Sequence, residues 1–293
     1  MALSSDTDSP WDLDARAVRA AFQRASRTFY GAAVVHAEAR ARLLERLEWV
    51  KLSPSLIVDV GCGLCEGAAA LSLRYPKAHV LALDTSLQML SRARSARPGE
   101  QICRLAADAR QLPLADRSVD LLFANLLLPW ILDLPGMFAE WRRVLKPGGL
   151  ALFTGLGPDT LYELAQAWAR VDDEPHVHGF FDMHDVGDAL TRSGLAEPVL
   201  DVDHLTVTYP SVAALCRELK ACGAGNATVG RRRGLTGRRR WQRMADCYPV
   251  EPGENPVHAT VELIFGQAWA GEPVRASEGG FTAIPVTDIK RRR

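Results

Sequence analysis

The sequence contains no run of about 18 or more apolar residues, which excludes an ordinary transmembrane helix. It also has no net charge: 35 basic residues balance 35 acidic ones, so no global field marks a nucleic-acid or membrane-surface protein. Met1 to Asp14 lacks any basic residue and carries several acidic ones. That is the opposite of a signal or transit peptide, and a cytoplasmic location is expected. Cysteine is too sparse for a disulfide scaffold, with six in 293 residues. Cys62 and Cys65 form a C-x-x-C, but Cys216 and Cys222 do not supply the second pair that a zinc site needs, so no metal is expected. A redox role is the other reading of that pair, yet it sits in a glycine loop with an explanation of its own.

What is present is alternation. Val18 to Leu47 has helical spacing, broken at Leu52-Ser53-Pro54-Ser55. Leu56–Val60 then reads as a short buried strand ending in a glycine turn. Helix 66–75, strand 79–83, helix 86–97, strand 101–106, strand 119–124, helix 135–144 and strand 150–154 follow. Strands joined through helices require crossover connections and a parallel sheet covered on both faces. The expected fold is α/β, a Rossmann-like, doubly wound, mostly parallel seven-stranded sheet. The second half supplies a helix over 182–192 stopped by Gly194, strands over 198–209 and 258–269, and a helix over 211–222. Five segments are expected: an N-terminal helical cap (1–50), the α/β domain (51–209), a basic helical lid inserted before the last strand (210–256), that strand (257–270), and a loosely ordered tail (271–293).

The turn Asp59-Val60-Gly61-Cys62-Gly63 lets the backbone approach a ligand and points helix N-terminal amides at it. Asp84, at the end of the second strand, is placed to accept hydrogen bonds from ribose hydroxyls. This much suits either NAD or S-adenosylmethionine (SAM). SAM is favoured because the loop is a short Gly-x-Gly and carries Asp59, which suits the ammonium of a methionine moiety better than a pyrophosphate. Asp108, after the third strand, can accept from an adenine amino group. Each acid has a plainer reading, Asp84 as a helix cap for instance. Their joint placement on successive strand ends argues against coincidence.

These stretches, with Ala107-Asp108-Ala109-Arg110-Gln111-Leu112-Pro113-Leu114 and Leu145-Lys146-Pro147-Gly148-Gly149, resemble the motifs of class I SAM methyltransferases. Ala21-Phe22-Gln23-Arg24-Ala25, Pro175-His176-Val177, Phe181-Asp182-Met183-His184-Asp185-Val186-Gly187-Asp188, Glu218-Leu219-Lys220 and Leu235-Thr236-Gly237-Arg238 resemble the malonyl-acyl-carrier-protein O-methyltransferases of biotin synthesis. The resemblance implies methyl esterification of the free carboxylate of a malonyl thioester. Three positions depart from the pattern: Cys65 replaces a further glycine, Phe29-Tyr30 stands where a Tyr-Asp pair is common, and Pro129 precedes Trp130 in place of glutamine. With neighbours of the motifs included, the candidate cofactor contacts are Asp59, Gly61, Cys62 and Gly63 in the loop, and Asp84, Thr85, Met89, Asp108, Ala109 and Asn125 beyond it.

A carboxylate is ionised at neutral pH and already nucleophilic, so no catalytic base or triad is expected. The protein must align the reacting atoms and exclude water. An arginine or a tyrosine hydroxyl should orient the carboxylate, and Arg24, Arg27 and Tyr30 are candidates. From Arg217 to Asp246 nine basic residues face two acidic ones, which suits an acidic acyl carrier protein, a nucleic acid, or nothing beyond solubility. The carrier is preferred, with Lys220, Arg231, Arg232 and Arg233 as contacts and no nucleic acid or membrane as partner. The alternatives are a small-molecule methyltransferase, a protein-arginine-hydroxylase-like assembly factor, and a SAM-binding scaffold impaired in catalysis.

Overall fold

A computed structural model describes residues 12–93, 102–250 and 257–271. The helical stretch expected over Val18–Leu47 is three helices, not one: α1 (Ala15–Ala25), α2 (Phe29–Ala32) and α3 (Val34–Arg46). Its start lies earlier because the Asp14 carboxylate accepts from the amides of Arg16 and Ala17, both at 3.1 Å, satisfying two orphan donors. Its break has a side-chain cause. The Ser26 hydroxyl donates to the Gln23 carbonyl (2.8 Å), and that of Thr28 reaches across to the Ala221 carbonyl (2.7 Å). Such hydroxyls compete with the helical ladder.

The core alternation is as expected. It runs β1 (Leu56–Val60), α4 (Glu66–Arg74), β2 (His79–Asp84), α5 (Leu87–Arg92), β3 (Ile102–Ala106), β4 (Val119–Ala124), α6 (Leu134–Val144) and β5 (Leu145–Leu156). The helix expected to reach Arg97 ends at Arg92, and the rest of that expectation lies outside the described residues. Strand β5 begins five residues early because Lys146-Pro147-Gly148-Gly149 forms a bulge inside it. Val119 pairs with Leu145 but Leu121 with Leu150, and Gly148 takes up the turn at φ +75°. The second half adds α7 (Tyr162–Ala169), α8 (Met183–Ser193), β6 (Ala196–Tyr209), α9 (Val212–Ala221), α10 (Arg238–Cys247) and β7 (Val257–Trp269). The expected tail lies, apart from Gly271, outside the described residues.

The sheet has seven strands in the order β3-β2-β1-β4-β5-β7-β6, with β7 antiparallel to both its neighbours and the pairs from β3 to β5 parallel. Each face is sealed by its own core. One centres on Phe138, Trp141 and Phe153, whose ring centroids lie 5.3–6.0 Å apart, and the other on Leu43, Ile57, Leu71 and Phe123. Strand order reverses between β1 and β4, and the crevice at the carboxyl ends of those strands is where such sheets bind ligands.

Candidate active site

At the carboxyl end of β1 the amides of Gly61 and Cys62 both donate to the Leu83 carbonyl (2.8 and 2.9 Å), which folds the chain back over β2. Gly61 and Gly63 sit at φ +71° and +53°, a region that disfavours side chains. Cys65 is also left-handed, at φ 62°, and leads directly into α4. The buried sulfurs of Cys62 and Cys65 lie 3.6 Å apart as free thiols. Asp84 fastens this loop to β2: one carboxylate oxygen accepts from Gly63 N (2.9 Å), the other from Ser86 N (2.7 Å). Burial raises its pKa, and those two amides pull it back. The helix cap suggested for Asp84 falls instead to Ser86, whose hydroxyl accepts from Met89 N.

A cavity of about 200 Å³ opens beside this loop. Gly61, Gly63, Asp84, Thr85, Met89, Asp108, Ala109 and Asn125 all line it. Asp59 and Cys62 border a smaller recess of about 40 Å³ that shares Gly61, Gly63, Asn125 and His36 with that cavity. All ten candidate cofactor residues are therefore brought together. Asp108 carries a partner that was not anticipated: Arg110 grips it through Nε (3.0 Å) and a terminal nitrogen (2.7 Å), holding its carboxyl below the usual range. Oδ1 also accepts from the Arg110 amide (3.0 Å), so the lone pair left for a ligand is on Oδ2. Other lining groups missed from the sequence are Arg19 and Phe22 on α1, together with His36 and Trp130. Aromatic and basic residues at ordinary helical spacing carry no signal that separates a cavity wall from a core or solvated face.

Asp59 is 2% exposed, and its Oδ2 has no hydrogen-bond partner. Burial pushes its carboxyl up to about 7, with a smaller push from the Asp84 charge and opposing effects from the Ala68 amide and Arg40. A Cβ on Gly67 would lie 2.8 Å from that oxygen, so the glycine makes room for it. An orphaned buried acid beside a glycine cradle fits the ammonium end of SAM. Only the ionised acid pairs with an ammonium, so binding must release the proton held below about pH 7. SAM affinity is expected to rise up to about tenfold between pH 6 and 7.5, and Asp59→Asn to flatten the profile while lowering affinity throughout. Without ligand the sign is opposite for stability. A folded pKa raised above the unfolded value of 3.8 makes the apo fold less stable as pH climbs from about 4 to about 7. Calorimetric titration across that range checks the first expectation, and thermal melts check the second.

A second cavity, of about 490 Å³, shares His36, Leu126 and Trp130 with the first and extends between α7, α9 and the 176–180 segment. Its walls are mostly apolar, including Leu161, Leu164, Trp168, Leu215 and Trp241, and Lys220 lines it too. Arg24, Arg27 and Tyr30 correct the sequence expectation. All three are exposed, Tyr30 by 70%, and none lines either cavity; Phe22 and Phe29 line the first one instead. The basic cluster is also not uniform. Arg231 pairs with Asp14 (3.0 Å) and bonds the Thr228 carbonyl (2.7 Å), Arg232 faces Glu174 (3.5 Å), and Arg240 holds Asp172. These three fasten the insertion to other segments. Arg233, Arg238, Arg239 and Arg243 are exposed and make no ion pair among the described residues.

The model of the methyltransferase domain family matches residues 58–153, the segment that carries the loop and both strand-end acids. The malonyl-[acyl-carrier protein] O-methyltransferase of Gallionella capsiferriformans is 42% identical over 285 residues, covering 95% of this chain and 98% of that one. The protein of the same name from Laribacter hongkongensis is 43% identical, covering 91% and 94%. The chain belongs to the malonyl-acyl-carrier-protein O-methyltransferase family. It is a SAM-dependent methyltransferase. Among solved structures, the YcgJ protein of Bacillus subtilis superposes with a TM-score of 0.56 at 17% identity, covering 78% of this chain and 98% of that one. A SAM-dependent methyltransferase from Thermotoga maritima gives 0.51 at 15% identity, covering 86% and 99%. At such identities the likeness is one of fold, and it agrees with the Rossmann-like sheet.

Proposed function

We propose that the chain esterifies the free carboxylate of a malonyl group held as a thioester on acyl carrier protein, the reaction named for its relatives and one that serves biotin synthesis. The carrying observation is the pair of adjoining cavities. One holds the loop and strand-end acids that suit SAM, the other, of about 490 Å³, is roomy and apolar enough for an acyl arm, and both are lined by His36, Leu126 and Trp130. When bound, SAM supplies an electrophilic methyl group, and its sulfur keeps the electron pair of the broken carbon–sulfur bond as the carboxylate oxygen takes the carbon. No proton moves, so no side chain needs to act as a base. The chain's part is to grip the cofactor with Asp59, Asp84 and Asp108, to thread the acyl arm through the apolar cavity, and to keep water from the junction. Purified protein with labelled SAM should transfer label to malonyl carrier protein but not to the free carrier. No transfer to any malonyl thioester would leave a different acceptor or a non-catalytic scaffold.

The proposed segments are residues 1–50 as a cap, 51–209 and 257–270 as the α/β domain, 210–256 as a lid, and 271–293 as a tail. The cap and lid are sewn together by the Leu13–Thr228 bridge and the Arg231–Asp14 pair. Carrier recognition is assigned to the lid's unpaired arginines and to Lys220. Arg238 and Arg239 occupy the first turn of α10, where the helix dipole disfavours positive charge by roughly 0.3–1 kcal/mol each, so they do not serve that helix. Leu235, 95% exposed, stands beside them as an apolar contact. Replacing Arg238, Arg239 and Arg243 with glutamate is expected to raise KM for malonyl carrier protein about tenfold or more and to reduce its salt dependence. SAM affinity and turnover of a small malonyl thioester should persist. Arg231→Glu is a different experiment: breaking the Asp14 clasp should impair both substrates equally. Among the described residues no helix is long and apolar enough to cross a membrane.

A further inference from the structure

The second cavity must accept a carboxylate, yet its walls are apolar, and an anion placed there without a hydrogen-bond donor is costly. Most polar side chains lining it are already engaged. His176 pairs with Asp172 (2.8 Å) and stacks on Trp168 at 3.7 Å, while the Tyr209 hydroxyl donates to Glu218 (2.7 Å). The Asn226 amide donates to the Pro175 carbonyl (2.6 Å), and its oxygen accepts from Thr228. Lys220 is exposed, at the cavity's edge. His178 differs from all of these. It is only 7% exposed, it lines the cavity, and its Nε2 is buried with no hydrogen-bond partner.

Its position is equally specific. Phe22, Trp130, His178 and Phe180 form a row of rings with centroids 4.9–5.0 Å apart. Phe22 lines the cofactor cavity, Trp130 both cavities, and His178 and Phe180 the acyl cavity. His178 therefore stands next to the ring that lines both chambers, where the methyl-accepting end of an acyl arm has to come to rest.

We infer that His178 Nε2 is the hydrogen-bond donor that holds the malonyl carboxylate at the junction of the two cavities. The inference rests on the malonyl reading above. Burial holds the imidazole pKa down to about 4 in the unliganded protein, so the ring is neutral and carries one N–H for donation. An anion at Nε2 satisfies an atom that otherwise has no partner. It also makes the site discriminate between a malonyl group and an uncharged acyl group of similar size.

The test compares His178→Phe, His178→Gln and the wild type on malonyl-pantetheine, with acetyl-pantetheine as an uncharged competitor and calorimetry for SAM. Phe keeps the ring against Trp130 but removes the donor, and should raise KM for the malonyl thioester about 30-fold, as for losing a hydrogen bond to a charged group. SAM affinity and acetyl-pantetheine inhibition should stay within twofold. Gln restores an N–H and should recover KM to within about fivefold. If the Phe protein does not fold, His178→Glu serves instead. An anion at that position should exclude malonyl while sparing acetyl-pantetheine. Wild-type KM in the Phe or Glu variant, or equal losses for malonyl and acetyl thioesters, would overturn the assignment. Failure of the wild type itself to methylate malonyl-pantetheine or malonyl carrier protein would instead strike the parent reading.

Discussion

Asp84→Ala is expected to weaken SAM binding by roughly two orders of magnitude, the largest effect short of abolishing it. The carboxylate has two tasks that a methyl group cannot share. It accepts from the amides of Gly63 and Ser86, so its removal loosens the loop in the free and the bound protein alike. It also faces the cofactor cavity, where it is proposed to accept from the ribose hydroxyls. Each unmet buried group costs about 1–3 kcal/mol, and about 1.4 kcal/mol is a factor of ten in affinity. Asp84→Asn keeps one acceptor oxygen and should fall between Ala and wild type. Calorimetry on protein shown by circular dichroism to be folded measures the effect. Unchanged affinity in the Ala variant would remove Asp84 from the site.

Gly61→Val should abolish measurable SAM binding. The residue sits at φ +71°, a region that costs an L side chain about 1–2 kcal/mol and a β-branched one more. Its Cβ would also stand 3.0 Å from the Leu127 side chain, on the cavity wall. The backbone and the cavity therefore object together. A matched control is Gly63→Ala, which shares the positive φ but has nothing within 4 Å of the added carbon. In the free protein it should cost only the conformational term, visible as a small loss in thermal stability. Normal SAM binding by Gly61→Val would show that the loop does not cradle the cofactor.

The cofactor half was legible because its signals are local. Strand β1 ends where its β-branched run ends, β4 ends with its apolar run Leu121–Ala124, and Asp182 and Gly194 cap α8 at the two residues that sequence alone marks. The Gly-x-Gly turn and the strand-end acids then follow from spacing. The substrate half was not legible for an opposite reason: its residues are distant in the chain and meet only through packing. His36, Trp130 and His178 carry no common motif, and α7 starts at a left-handed Leu161 with no side-chain cap to announce it. Arg24 lies on the exposed side of α1 ahead of the break, and Arg27 and Tyr30 leave the expected face because helical spacing does not run unbroken through Ser26–Thr28. Two hydroxyls that bond backbone carbonyls there reset the phase, and the expected grip turned to solvent. Charge counting failed similarly for Arg231, Arg232 and Arg240, since a sum cannot tell which guanidinium already has a carboxylate.

Strands β6 and β7 are paired along nearly their whole length, and the register closes with Tyr209 opposite Val257. The chain between them, which includes α9 and α10, thus departs and returns at one rung of the ladder. Topologically it is an outsized hairpin turn. Its length and composition can change without shifting a single strand pair, while the loop that meets the cofactor sits on the other side of the sheet order, at β1. On the proposed function, carrier recognition and cofactor use are consequently separable traits in this fold: a different turn grafted at that rung should change the first and leave the second in place.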